Sequence, residues 1–577
     1  MKKIILRFLK KHHIYIIIQT IFIFLNIYFA TYPAKIIGSL IDLLYDIPAN
    51  QSMIIQNIIY LLLVSIGLLL VRFPWRFLVT YHSRSLEKDM KNEIFKHFLK
   101  MKMSEIQEIK NGEIMSHLTK DVGEVRHAFY RLESYGTRII ATFLIGAITM
   151  AQGINLGLTA VTMLPIVITS YLIVKIKKYV ETSFKISQEH YTELSEYVQE
   201  STDAIRTTKA YSQEGNQLKE FIKKNKQLKM ANNAVDVHST LLTTCINICF
   251  GLCYAIAILF GSKLVLENTI TIGDFVAFNG YIALFVGPVS WLPSTISRFK
   301  RGQISYQRLD RFLALEKEKY LPLEQKAEAD LKGDIKISHL SFHYPSHVEE
   351  VLEDINITIK QGKTLGIIGA VGSGKTTLAN LLLRLYSVQD NMIYIGDKDI
   401  NRIPIEVIRK NICYITQDNF LFSNTIEKNI SLFRQGYSEK EIMKSTKEAM
   451  IYDEIQEMNN GIYTVIGERG VDLSGGQKQR IAVSRAFLNS SDIVIFDDTF
   501  SALDNKTEGR LLENIKKMTQ NKTCIIISSR ISDIKDADEI IVLEGGSIIE
   551  RGIHQDLVEQ RGSYYKFYQQ QISQNNE

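Results

Sequence analysis

Six apolar stretches, each long enough to cross a bilayer, divide the first 300 residues. The first covers residues 14–31 without a charge, as a span of about 20 apolar residues requires. The second covers 54–73. A close pair follows at 136–152 and 156–174, separated by a short turn, and the last two fall at 241–260 and 272–293. Between crossings two and three, and between four and five, the pattern changes. Residues 81–99 and 184–221 alternate charged and apolar positions at helical spacing with scarcely a Pro or Gly, which predicts helices that run on well beyond the membrane. Their tips, 104–112 and 199–208, are candidate contacts with a soluble partner domain. Pro33, Pro74, Pro165, Pro288 and Pro293 lie in or beside crossings, where a kink is tolerated if neighbours satisfy the backbone.

Beyond about residue 301 the apolar runs shorten. Residues 316–332 are charged, as in a linker. From 333 onward, short β-rich runs alternate with helical patterns, the rhythm of an α/β domain with a largely parallel sheet. The chain thus reads as a multi-pass α-helical membrane domain (1–315), a linker (316–332) and an α/β cassette (333–577).

Charge orients this arrangement. Lys2, Lys3, Arg7, Lys10 and Arg- or Lys-rich inner connections at 77–135 and 175–238 contrast with short outer connections at 32–53, 153–155 and 261–271. The positive-inside rule then keeps the N-terminus and the cassette in the cytoplasm of a cell-membrane protein. A cleaved signal peptide is disfavoured, because the first apolar run is too long and lacks a small-residue cleavage site. Composition (46% hydrophobic, 23% charged) suits a mixture of membrane and soluble parts, and the net charge of +6 suits anionic lipid better than nucleic acid. Arg72 and Arg76, at the inner end of the second crossing, snorkel to headgroups or face an inner cavity. Of the five cysteines, Cys245, Cys249 and Cys253 share one helical stripe with no His or carboxylate beside them, which points to packing rather than metal. Cys413 and Cys524 add no disulfide framework. Polar residues inside apolar runs (Gln19, Asn26, Gln152, Asn247, Asn279) read as interhelical glue before substrate contacts.

The chemistry is concentrated in the cassette. Gly369-Ala-Val-Gly372-Ser373-Gly374-Lys375-Thr376 follows a strand and opens a helix that begins with Thr377, the context that gives a Walker A pattern its mechanism. Backbone N–H groups of the turn and helix start point at phosphate oxygens. Lys375 supplies a point charge to the outer phosphates, and the Thr376 hydroxyl ligates Mg2+. ATP is the expected ligand, and residues 333–577 read as an α/β P-loop ATPase cassette.

Further motifs resemble ATP-binding-cassette (ABC) proteins of the exporter branch. Leu473-Ser474-Gly475-Gly476-Gln477 matches the family signature, residues 465–471 look like the exporter loop just upstream of it, and 501–504 match the D-loop. Gln417 resembles the Q-loop residue, a metal ligand with a catalytic part, and Tyr344 the aromatic that stacks on adenine. Residues 111–121 and 270–288 are similar to characteristic stretches of exporter membrane domains. The resemblance covers nearly the whole chain. It implies a half-transporter that dimerises, each ATP being held between the Walker motifs of one cassette and the signature of the other. With no peptidase-like domain ahead of the first helix, trimming of a leader from the cargo is not expected.

Two positions depart from the family pattern. Asp497 resembles the Mg2+-binding aspartate, but Asp498 stands where the family carries the catalytic glutamate, and Ser529 stands where it carries a histidine. Asp498 is one methylene shorter, and an error of about 1 Å in positioning a water costs on the order of 100-fold in rate. Ser529 has no imidazole to offer the γ-phosphate. With an intact signature, this pattern resembles the degenerate-site half of a heterodimeric multidrug exporter: ATP is held here, and turnover falls at the composite site completed by the partner. Amphipathic drugs, lipids or peptides are the expected cargo. Alternatives are an importer on the exporter fold, a slow homodimeric pump, or a nucleotide-gated regulatory subunit.

Overall fold

The computed structural model describes residues 2–44, 47–109, 111–318, 331–345, 349–467, 473–500 and 505–575. Two compact units emerge, residues 1–99 with 109–315 and residues 100–108 with 316–577.

The first unit is all helix. It comprises α1 (Lys2–Leu43), α2 (Ile47–Phe98), α4 (Asn111–Ser116), α5 (Val122–Arg131), α6 (Thr137–Gly153), α7 (Leu156–Asp203), α8 (Ile205–Ala210), α9 (Glu214–Leu266) and α10 (Ile272–Phe312), while the short α3 (Met103–Glu108) falls in the second unit. Six of these helical segments are long and apolar enough to cross a membrane, matching the six stretches read from the pattern. Single π-helical turns at His117–Asp121 and Leu132–Gly136 flank α5. Asn155 turns α6 into α7: its side chain accepts the Leu158 N–H at 3.0 Å, an N-cap that frees the tight turn from needing more residues.

Helix lengths depart from the pattern in two places. The outer connection expected at 32–53 is mostly helix, since α1 continues to Leu43 and α2 begins at Ile47. Pro33 is accommodated inside α1, as a proline can be when neighbouring helices take up the freed backbone groups. The helix expected over 184–221 is broken: α7 ends at Asp203, and α8 and a turn precede α9. Close backbone approach ties α1 to α10. A Cβ on Gly273 would lie 2.1 Å from the Gly38 carbonyl oxygen, and Asp42 accepts the Gly273 N–H and the Thr271 hydroxyl, both at 2.7 Å. Small residues permit this packing where apolar burial supplies no drive between helices. The cysteine stripe packs as expected: Cys249 and Cys253 are buried beside Ile246 and Phe250. Gln19 and Asn26 do bridge helices, to His82 and to the Leu68 carbonyl.

The second unit holds two sheets. One is antiparallel, in the order β2 (Leu352–Ile359), β1 (Ile335–Phe342), β4 (Ile393–Ile395), β5 (Lys398–Asp399). The other runs β10 (Ser547–Gly552), β9 (Glu539–Glu544), β3 (Thr364–Gly369), β8 (Thr523–Ile527), β7 (Ile493–Asp497), β6 (Ile412–Ile415), parallel except for β10. Every residue of β7 and β8 is buried, which is why these strands read as continuous apolar runs rather than alternating ones. The stretch Lys100–Glu108 belongs to this unit. Glu318 N–H donates to the Lys100 carbonyl at 2.8 Å, Lys102 N–H to the Glu316 carbonyl at 3.2 Å, and Met103 packs against the core of the antiparallel sheet. Of the linker, Glu318 is clamped by Arg409 through paired hydrogen bonds of 2.7 and 2.9 Å, and residues 319–330 lie outside the described residues.

Candidate functional site

In an open parallel sheet the ligand crevice lies beyond the carboxyl ends of the strands. The chain places its chemistry there: Gly369 ends β3, Asp497 ends β7, Gln417 lies two residues beyond β6, and Ser529 two beyond β8. Parallel register sets Asp497 opposite Ile527, so residues far apart in sequence meet at one edge.

The β3 turn is built for a close backbone path. A Cβ at Gly369 would sit 2.0 Å from the Leu543 carbonyl on β9, and Gly372 and Gly374 have φ of +83° and +95°, which glycine adopts without strain. The helix Lys375–Leu382 starts directly after Gly374. Two features fit the loop to phosphate. The Ser373 hydroxyl is buried with no partner among the described residues, and no atom lies within 4 Å of where a Gly372 Cβ would point. Lys375 Nζ rests on the Gly369 and Ala370 carbonyls at 2.8 and 2.7 Å. Burial lowers its ammonium pKa, and the charges of Asp498 and Asp497 oppose that shift. Tyr344 packs edge-on against Phe342 and Tyr386, and its hydroxyl shares a 2.9 Å hydrogen bond with Thr377.

Asp497 is buried at the end of β7. Thr376 donates to its Oδ1 at 3.2 Å, which puts two of the three expected Mg2+ ligands side by side. Tyr414 donates to Oδ2 at 2.9 Å. Burial raises the Asp497 pKa, and those two hydrogen bonds act against it. The Tyr414 phenol is itself pushed up by burial and by the neighbouring carboxylate. Sequence reading missed Tyr414; only its place on the strand leading to Gln417 hinted at it. The donor set, a hydroxyl beside a carboxylate, fits a hard oxygen-seeking cation such as Mg2+, which when bound neutralises phosphate charge.

Asp498 follows with φ +44°, its N–H donating to the Ile527 carbonyl at 2.8 Å. Both carboxylate oxygens accept from the protein: Oδ1 from the Ser529 hydroxyl at 3.2 Å, Oδ2 from Gln417 Nε2 at 3.4 Å. The two departures from the family pattern are therefore direct partners. The Ser529 loop is held from behind by Gln571, which donates to the Ser529 carbonyl at 2.7 Å and accepts the Ile531 N–H at 2.8 Å. Gln571 carried no sequence signal.

Beneath the same loop lies buried Asp533, which accepts from the Ser528 hydroxyl. Burial pushes its carboxyl up to about 7, helped by the charge of Glu508. A raised carboxyl pKa stabilises the fold fully below the ordinary carboxylate range, and that contribution is lost as pH rises from about 4 through about 7. Asp533→Asn is expected to flatten this part of the pH profile of thermal unfolding. Equal slopes for parent and variant between pH 5 and 8 would count against it.

The signature lies elsewhere. Ser474 caps the helix Gly475–Leu488 in a reciprocal box with Gln477, and Gln477 Nε2 donates to Glu454 at 2.9 Å. Ser474 and Gly475 are exposed. Residues 501–504 and 468–472 lie outside the described residues.

A membrane unit of six spanning helices joined to a P-loop cassette with this signature defines a class, and comparison with known proteins agrees. Residues 14–289 match the ABC transporter transmembrane region and residues 352–501 the ABC transporter family. The chain is 31% identical over 549 residues (94% of this chain, 92% of the relative) to the probable multidrug resistance ABC transporter ATP-binding/permease protein YheI of Bacillus subtilis. It is 30% identical over 523 residues (89% and 88%) to the ATP-dependent lipid A-core flippase of Yersinia pestis. Its fold superposes on that of a bacterial Atm1-family ABC exporter with ATP bound, with a TM-score of 0.81 over 98% of both chains at 22% identity. This chain belongs to the ABC transporter family and has the exporter architecture, in which ATP hydrolysis is coupled to transport by a membrane dimer.

Proposed function

We propose that this chain is the ATP-holding half of a heterodimeric exporter in the cell membrane, with its N-terminus and cassette in the cytoplasm, moving amphipathic drugs, lipids or peptides outward. The observation that carries the reading is the hydrogen bonding of Asp498 by Ser529 and Gln417, which occupies both oxygens of an already short carboxylate. A base so engaged is poorly placed to take a proton from water. Lys375, Thr376 and Asp497 keep the phosphate and Mg2+ functions, so ATP binding is retained. Ser474–Gln477 are intact, with Ser474 and Gly475 exposed, as a motif offered to a partner's Walker site needs to be. Relatives named for multidrug resistance and lipid flipping support the amphipathic cargo. Closure on two nucleotides shifts the dimer only by their differential affinity for the closed state.

The test is the full-length chain purified alone and then with the second half-transporter that co-purifies from its native membrane. Fluorescent ATP is expected to bind the chain alone with slow phosphate release, and release is expected to rise with the partner. Fast release by the chain alone, lost on Asp498→Asn, would replace this reading with a homodimeric pump.

A further inference from the structure

The chain has two tryptophans, and both pack against one arginine. The Arg138 guanidinium, on α6, lies 5.4 Å from the ring centroid of Trp75 on α2 and 5.0 Å from that of Trp291 on α10. Arg76 lies 5.8 Å from the Trp75 ring. Tyr135 meets Trp291 edge-on at 5.0 Å, and Arg131 covers Tyr135 at 4.4 Å. Helices α2, α5, α6 and α10, with the π-turn before α6, thus build one arginine–aromatic cluster, at the end of the spans that charge distribution places inside.

Its polar inventory is one-sided. The cations that bear on Arg138 are Arg72 and Arg76, opposed only by the phenol of Tyr135, and no ion pair to any of the three arginines occurs among the described residues. Arg138 Nε and Trp75 Nε1 are buried donors without a partner among those residues. Stacking on indole faces fixes the guanidinium plane but leaves its N–H groups unspent. Unpaired cations and orphaned donors at membrane depth are costly unless something answers them. The complement is a group with negative charge and several acceptor oxygens, and the surrounding rings and exposed Phe73 and Phe77 suit an attached apolar tail. Snorkelling accounts for exposed Arg72 and Arg76, but not for Arg138 held between two indoles.

We propose that Arg138, with Arg72, Arg76, Trp75 and Trp291, forms a binding site for amphiphiles that carry a phosphate, sulfate or carboxylate head. The proposal deepens the exporter reading by naming the charge class of its cargo. It rests on that reading only for the outcome of binding, not for binding itself.

Because both tryptophans flank Arg138, intrinsic fluorescence reports the site without a label. The full-length chain in phosphatidylcholine nanodiscs, without nucleotide, is titrated with dodecyl phosphate, dodecyltrimethylammonium and inorganic phosphate. A saturable change with dodecyl phosphate alone is expected. Arg138→Gln and, separately, the exposed Arg72→Gln are expected to weaken it by about tenfold or more, as loss of a charge-assisted hydrogen bond does. If phosphatidylglycerol in the nanodisc competes with dodecyl phosphate, the occupant is a bilayer lipid; if it does not, a soluble anion enters. Either result supports the anion site. An equal response to the ammonium amphiphile, or titrations unchanged in both variants, overturns it. Fluorescent ATP binding measured on the same sample separates this outcome from failure of the transporter reading.

Discussion

Replacing Asp498 by Glu together with Ser529 by His is expected to raise ATP turnover by the purified chain on the order of 100-fold. The carboxylate now ends where Ser529 and Gln417 reach it, at 3.2 and 3.4 Å. One more methylene carries it further from the β7 end, and removing the Ser529 hydroxyl frees an oxygen to accept from water. The imidazole restores a group of the size the family places beside the γ-phosphate. Asp498 sits at φ +44°, a conformation that Asp tolerates better than most residues, so the glutamate costs roughly 1 kcal/mol of cassette stability. That cost does not touch the chemistry. Because the signature Ser474–Gln477 is intact, two copies of the double variant can complete both composite sites. Phosphate release at saturating ATP reads the effect, with Lys375→Ala in the same background as the inactive control. A double variant no faster than its parent would show that these two positions do not limit the site.

Asp121→Ala is expected to lower the stability of the helical unit by about 3 kcal/mol, a drop of several degrees in the unfolding temperature. Asp121 closes the π-turn His117–Asp121, is 1% exposed, and is the acceptor for donors from α10 and from its own turn. Arg308 Nε on α10 reaches its oxygens at 3.1 and 3.2 Å, and His117 lies at 2.8 Å. Removing the buried Asp121 leaves His117 and the inward N–H groups of Arg308 without their acceptor, which is why the loss exceeds the net worth of the pair. The Arg308 side chain is partly exposed, so the value belongs at the lower end of the range for broken buried pairs. Arg308→Met in the Asp121→Ala background is expected to recover part of the loss, since the stranded guanidinium is gone. Thermal unfolding in detergent decides it: an unchanged transition for Asp121→Ala means the pair holds nothing together.

Much of this molecule was legible from local pattern. Runs of apolar residues predict spanning helices because lipid leaves the backbone no other partner than itself. The Walker A glycines announce themselves because only glycine takes φ of +83° and +95° at that turn. Helix ends were less legible. Residues 32–53 contain two prolines and polar residues and read as a connection, yet packing against α10 through Gly38 and Asp42 keeps α1 helical to Leu43. Residues 104–112 read as the tip of a membrane-domain helix, but Lys100–Glu108 belongs to the second unit, with backbone hydrogen bonds to Glu316 and Glu318. Tertiary partners overrode composition in both cases.

By itself the sequence determined that six helices precede a P-loop cassette, and that Asp498 and Ser529 replace the expected glutamate and histidine. It carried no sign that the two substitutions touch each other, that Tyr414 holds Asp497, or that Trp75 and Trp291 enclose Arg138. Those pairs come from different strands and helices, so no periodicity along the chain links them. Parallel register among β6, β7 and β8 and the packing of α2, α6 and α10 bring them within hydrogen-bonding or ring-contact distance. Only the folded chain sets those distances, because each is fixed by the burial of residues that lie between them in sequence.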